Sequence, residues 1–320
     1  MNTAPLLVAL LATVILAHPL PAQAQSYPSK PIRVVVPFPP STGVDITTRL
    51  FAPDMSEALG QQIVVDNRAG AASTIGAAVV ARAAPDGYTL LAASASTASA
   101  QSLVKDLPYQ LGDLEPVALL ASSPFLLVIH PSLPAKNVKE LVAIAKARPG
   151  QMSFASAGIG SSPHLTGELF RMQARIDMLH VPYKGNPQAL SDLIGGQVSM
   201  TFVNPLSAMP HVKSGRVRAI ASTSEKRSVV APDLPTIAES GLPGFESGTW
   251  FALMAPTGTP RDIVTRLNAT AAKVAAKKEV RERLMANGAE PQGGTPEQVG
   301  TFVRTEIGRA SCRERVFVGV

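Results

Sequence analysis

The chain has 320 residues, of which 46% are hydrophobic, 16% charged and 5% aromatic. It is too apolar for a disordered chain, long enough for two domains, and low in charge against the roughly 25% of ordinary soluble domains. Of the formal charge of +6, Arg309, Arg313, Arg315 and Glu314 contribute +2, which leaves +4 on 25–306 with no Lys/Arg run; nucleic acid is not an expected partner.

The single cysteine, Cys312, excludes a disulfide framework or a cysteine-rich zinc site within one chain. The five histidines, His18, His130, His164, His180 and His211, form no H-x-H or H-E-x-x-H pair, so no metal site is expected.

At the N-terminus, the apolar run 5–17 leads through His18-Pro19-Leu20-Pro21 to Ala22-Gln23-Ala24. This length before an A-x-A site reads as a secretory signal, too short to span a membrane, although its first residues lack Lys or Arg. The expected mature protein begins near Gln25 after cleavage at Ala24. It is exported, and no later apolar run reaches ~18 residues.

From there short β-branched runs read as strands at 32–38, 63–67, 89–93, 126–130, 178–181, 200–203, 217–221 and 250–255. Helical spacing fills 44–59, 73–83, 138–148, 164–175 and 263–278. Strands alternating with helices predict an α/β protein with parallel sheets. The 28 prolines, above the ~5% norm, predict many fixed loops. At the far end 307–316, IGRASCRERV, resembles the translation of a sequencing adapter, so 307–320 reads as a non-native tail.

Three strand-like runs lead through a Gly/Ser/Pro loop into a helix: Pro37–Asp45, Asn67–Thr74 and Ser156–His164. Such a helix start offers free backbone N–H groups and the positive end of the helix dipole, to which serine and threonine add hydroxyls. In parallel sheets these loops gather at the strands' carboxyl ends, where several together suit a carboxylate. Each loop alone reads first as ordinary turn chemistry.

Other chemistries fit less well. Gly158-Ile159-Gly160 lacks the third glycine of a dinucleotide fingerprint and the Gly-Lys-Ser/Thr of a P-loop, so neither NAD nor ATP is expected as a cofactor. Ser161 and His164 admit an exported acyl hydrolase, but no G-x-S-x-G elbow is present. Tyr183 and Lys184 read either as a surface turn or as an aromatic and a cation for an acyl acid. Trp250 is expected in the core.

Several segments together resemble the tripartite tricarboxylate transporter substrate-binding proteins, or Bug family. They are Tyr27–Ile32 into Val36–Pro40, Asp66–Gly70, Ala84–Leu90, Ser156–His164, His180–Gly185, Leu193–Val198, Leu234–Thr236, Gly241–Gly244 and Ala255–Pro260. The resemblance covers nearly all of 27–306. It implies a type II-like, two-lobe periplasmic binding protein, a Venus flytrap with its ligand cleft between α/β lobes. Lobe one would comprise 25–124 plus 227–306 and lobe two 125–226.

The same resemblance implies a non-enzymatic monomer that captures a small carboxylate and delivers it to transporter membrane subunits; a sensor role for the same module stays open. The ligand-facing candidates it implies are Phe38, Pro39, Ser41, Thr42 and Asp45, then Ala72 and Ser73, with Ser94, Ser96 and Thr97 as the floor. Lobe two would supply Gly158, Gly160, Ser161, Ser162, His164, Tyr183 and Asn204. Where the family often has Asp this chain has Val203, which implies a less polar acid, aliphatic or aromatic, rather than an amino acid or citrate.

Overall fold

The computed structural model describes residues 27–70, 73–104, 106–228 and 231–317; the leader at 1–24 lies outside them. The chain begins with β1 (Ile32–Val36), α1 (Gly43–Leu59), β2 (Ile63–Asn67), α2 (Thr74–Ala81), β3 (Thr89–Ser94), α3 (Ala95–Leu103) and β4 (Leu114–Pro124). It continues with β5 (Leu126–Ile129), α4 (Val138–Ala147), β6 (Ser153–Ser156), α5 (Ser162–Ala174), β7 (Leu179–Pro182), α6 (Asn186–Ile194), β8 (Met200–Val203), α7 (Pro205–Lys213) and β9 (Arg218–Ser222). It closes with β10 (Gly248–Pro256), α8 (Arg261–Ala276), α9 (Lys278–Ala286), β11 (Glu290–Pro291) and α10 (Pro296–Phe317). Helix α10 runs unbroken through the start of the segment read as a foreign tail.

Two sheets organise these elements, in the strand orders β11-β4-β10-β3-β1-β2 and β7-β6-β8-β5-β9. The expectation of parallel sheets holds only in part. Strand β1 runs parallel to β2 and β3, but β10 is antiparallel to both β3 and β4. In the second sheet β5 is antiparallel to β8 and β9. The reason lies in the route of the chain: β4 passes through Phe125 straight into β5, so each sheet holds a strand outside the βαβ winding.

Both faces of each sheet are covered. Val34 and Val36 join a core with Phe51, Leu90, Leu253 and Leu267, while Val35 between them joins Leu91, Trp250 and Val303 on the opposite face. That alternation is the period-two geometry of a strand buried on both sides. In the second sheet Leu127 packs with Phe154, Phe170 and Phe202, and its neighbours Leu126 and Val128 with Ala155 and Leu190. These are two α/β lobes, each with its own core.

Thr223 stitches the crossovers. Its hydroxyl accepts from the Phe125 amide at 2.8 Å and donates to the Ser247 carbonyl at 2.6 Å, and the Ser247 amide donates to the Thr223 carbonyl at 2.9 Å. Ile237 and Phe245 pack in the core of the second lobe, so a boundary at 227 would leave them on the wrong side. The return to the first sheet falls at Ser247–Gly248, where β10 begins.

Candidate functional site

Five helices begin around one cleft between the lobes. Thr42, Gly43 and Val44 open α1, and Ser94 and Ser96 open α3, both in lobe one. From lobe two, Ser162 and Pro163 open α5, Asn186 opens α6 and Asn204 caps α7. Phe38, Phe125, Ala157, Thr249 and Phe251 complete the lining. None of the lining residues carries a charge. Positive helix ends from both lobes thus take the place of a cation.

Across the cleft the two lobes touch. The Ser96 and Ser162 hydroxyls lie 3.1 Å apart, and the Ser162 amide donates to the Ser96 hydroxyl at 3.0 Å. Ser99 donates to the Gly160 carbonyl at 3.0 Å, and Ser207 to the Ser41 carbonyl at 3.1 Å. Glycine permits this approach: a Cβ on Gly43 would lie 2.8 Å from Asn204 Oδ1 and 2.9 Å from Phe251.

Most polar groups of the lining have partners within the protein. Thr42 donates to the Pro39 carbonyl, Ser96 and Ser162 serve each other, and Thr249 donates to the Trp250 carbonyl. Three buried atoms of the lining do not: Ser94 Oγ, Asn204 Nδ2 and Asn186 Oδ1. A buried polar atom without a partner costs about 1–3 kcal/mol, so these atoms mark where a ligand would bond.

Of the residues anticipated from sequence, the structure brings Phe38, Thr42, Ser94, Ser96, Ser162 and Asn204 to the cleft. The others lie elsewhere. Asp45 is buried and its oxygens are taken within lobe one: it accepts from the Ser41 amide at 2.9 Å, from Arg49 at 3.0 Å and from Asn67 at 2.9 Å. It shapes the turn and is not among the residues that line the cleft.

Pro39 abuts Gly185, and Ser41 bridges to Ser207. Ser73 caps α2 away from the lining, and Ala72 lies outside the described residues. Thr97 accepts from the Ser94 amide. Gly158 and Gly160 turn the loop at φ 121° and 82°, values that favour glycine. Tyr183 donates to Asp192 at 2.7 Å on an outer groove, where burial and that carboxylate push its hydroxyl up to about 12, and Lys184 points to solvent.

Val203 also lies outside the cleft lining. It packs with Leu126, Val128 and Leu190 in the second lobe's core. An acid at this position would face that apolar cluster, so Val203 supplies no argument about ligand polarity. Trp250 is buried edge-on against Phe302, as expected of a core residue.

Ser161 and His164 do not form a nucleophile–base pair. The Ser161 hydroxyl donates to the Gly158 carbonyl at 2.7 Å and accepts from the His164 amide. The His164 ring accepts at Nδ1 from the Gly160 amide at 3.1 Å and stacks 4.1 Å from His180. His180 lies 4.8 Å from the Phe154 ring and 2.7 Å through Nε2 from the Ser156 hydroxyl. Burial pushes both imidazoles down, and His164 beside it helps to lower His180 to about 4. The two rings serve as packed supports of the loop.

Gly43, Val44, Phe125, Ala157, Pro163, Asn186, Thr249 and Phe251 were not anticipated. Asn186 follows the same rule as the three loops, since it opens a helix after a strand and a glycine. Phe125, Thr249 and Phe251 belong to the crossover and an antiparallel strand, where no loop signal exists.

Two lobes on short crossovers, meeting over helix starts contributed by each, define a solute-binding receptor. The chain belongs to the tripartite tricarboxylate transporter family receptors, whose pattern matches residues 47–313. It is 41% identical to protein BugT of Bordetella pertussis over 292 residues, 90% of each chain. The R. palustris protein Rpa4515, solved with adipate, is 36% identical with a TM-score of 0.88 over 90% of this chain and 97% of that one. MatC from Rhodopseudomonas palustris, solved with bound malate, is 34% identical with a TM-score of 0.85 over 90% and 99%.

Proposed function

We propose that this receptor captures a small carboxylate by lobe closure in the periplasm and hands it to the membrane subunits of its transporter. The observation that carries this reading is the cleft itself: helix starts from both lobes, unpartnered donors at Ser94 and Asn204, and no charged side chain in the lining. A carboxylate accepts from both donors, and its charge is met by helix dipoles worth about 0.3–1 kcal/mol each. Only the closed arrangement presents donors from both lobes at once, so ligand shifts the balance towards closure by its differential affinity. That relatives were solved with adipate and malate supports the same ligand class.

The proposed units are lobe one at 25–124 plus 248–306 and lobe two at 125–247, acting as a monomer after removal of the leader. Among the described residues no helix is long and apolar enough to cross a membrane. The reading includes no turnover, because the Ser161 and His164 side chains are spent on the loop.

A thermal melt of the protein against mono-, di- and tricarboxylates and their neutral amides tests the proposal. At about 100 times its dissociation constant a true ligand adds about 2.7 kcal/mol of apparent stability. The expected result is a shift with at least one acid and none with its amide; equal shifts with both would overturn it.

A further inference from the structure

Beside the polar contacts of the cleft, one apolar side chain crosses from lobe to lobe. Helix α7 belongs to lobe two, and its Ala208 packs in that lobe's core with Leu126, Val128 and Leu190. Leu206 points the other way, because residues i and i+2 of a helix do not share a face. It is 3% exposed and joins the lobe-one core that holds Phe38, Val44, Phe251 and Ala289. Among the described residues every other member of that core comes from lobe one, and the remaining cores each draw on a single lobe.

The residues on either side of Leu206 engage lobe one as well. Pro205 lies against Gly288 so closely that a Cβ on the glycine would have no room. The Gly288 carbonyl in turn accepts from Ser123 of the crossover at 2.8 Å, and Ser207 donates to the Ser41 carbonyl at 3.1 Å. None of Pro205, Leu206 and Ser207 lines the ligand cleft. What Leu206 contributes is therefore the same whichever ligand the cleft holds. Opening the lobes draws its side chain out of a core and into water, which is unfavourable in proportion to the apolar area exposed.

We infer that Leu206 is a positioning residue, an apolar latch that stabilises the closed receptor without touching the ligand. The ligand-free receptor is then divided between open and closed forms, and affinity for every ligand scales with the closed fraction. This rests on the lobe-closure reading above and adds to it a driving force that the ligand does not supply.

Small-angle scattering of the ligand-free receptor, compared with Leu206→Ala, tests the latch directly. Loss of the buried side chain should lower the closure constant on the order of ten- to thirtyfold, so the variant is expected to have the larger radius of gyration. Leu206→Met, which keeps the apolar volume, should match wild type. Calorimetric titration with acetate, succinate and citrate adds a second readout: each acid that binds should bind Leu206→Ala more weakly by one common factor of about tenfold. A purely structural role would lower the melting temperature and leave the radius of the folded variant unchanged. Equal ligand-free radii, or losses that differ from acid to acid, overturn the inference and leave the carboxylate reading standing. Should Leu206→Ala fail to fold, Leu206→Val carries the same comparisons with a smaller change in radius. If none of the three acids binds, the ligand-free radii still decide on the latch, while the carboxylate reading stands or falls by the melts described above.

Discussion

Ser96 of lobe one and Ser162 of lobe two meet across the cleft, each hydroxyl 3.1 Å from the other, and the Ser162 amide donates to the same Ser96 oxygen at 3.0 Å. Both residues lie in the first turn of a helix, so the contact fastens two helix starts together. It exists only while the lobes are closed.

Ser96→Ala removes that acceptor and strands the buried Ser162 amide. The closed form should lose about 1–2 kcal/mol, and ligand affinity should fall roughly 5- to 30-fold. Isothermal titration against any acid found to bind gives the change directly. The melting temperature without ligand should move far less; a fall of comparable size there would show that Ser96 serves the fold of its own lobe.

Gly185 sets how closely the lobes approach outside the cleft. A Cβ there would lie 2.8 Å from Pro39 Cγ and 3.0 Å from its Cδ. Its φ of 168° is extended backbone open to any residue, so Gly185→Ala tests the contact without backbone strain. The variant should bind ligand more weakly, and small-angle scattering of the liganded protein should give a larger radius of gyration than wild type. An unchanged radius with unchanged affinity would show that Pro39 gives way.

Val203→Asp separates a site residue from a core residue. Val203 is 1% exposed among Leu126, Val128 and Leu190. A carboxyl placed there loses hydration without a partner, a cost on the order of several kcal/mol. A steep drop in melting temperature at neutral pH is expected, in place of a change in ligand choice. A stable variant with altered ligand preference would reverse that assignment.

Acid should weaken the protein through the histidine stack. His180 is held down to about 4, first by burial and then by His164, below the ordinary value of about 6.5. Between those values the unfolded chain binds a proton that the folded one refuses, so stability falls as pH drops from about 6.5 towards 4. Allowing for partial exposure of the ring, the loss is on the order of 1–2 kcal/mol. Denaturant titrations over that range, compared with His180→Gln, measure it; the variant should show a flatter dependence.

Much of the architecture was legible because burial leaves a periodic trace. The run from Ile32 to Val36 is β-branched at every position but Arg33 because both of its faces are covered, and the three Gly/Ser loops mark strand ends that lead into helices. Other elements leave no such trace. Helix α3 is built of small and polar residues, ASTASAQSL, without an apolar stripe, and α6 and α7 open with Asn-Pro, which reads as a turn. Strand β4 contains Pro116 and two serines, and its pairing with β10 depends on residues more than a hundred positions away.

The sequence by itself determined the α/β class, with loops of glycine, serine and proline at the strand ends, and carried the resemblance to a receptor family. Only the tertiary structure decided which of those loop residues line the cleft. A carboxylate such as Asp45 and a hydroxyl such as Ser161 look like binding groups in the chain, yet each is consumed by hydrogen bonds within its own lobe. Asn186, Phe125 and Phe251 come from distant segments and meet because the lobes close on one another. Hydrogen-bond partners and lobe contacts are long-range properties, and residue type alone does not encode which polar atom is left over.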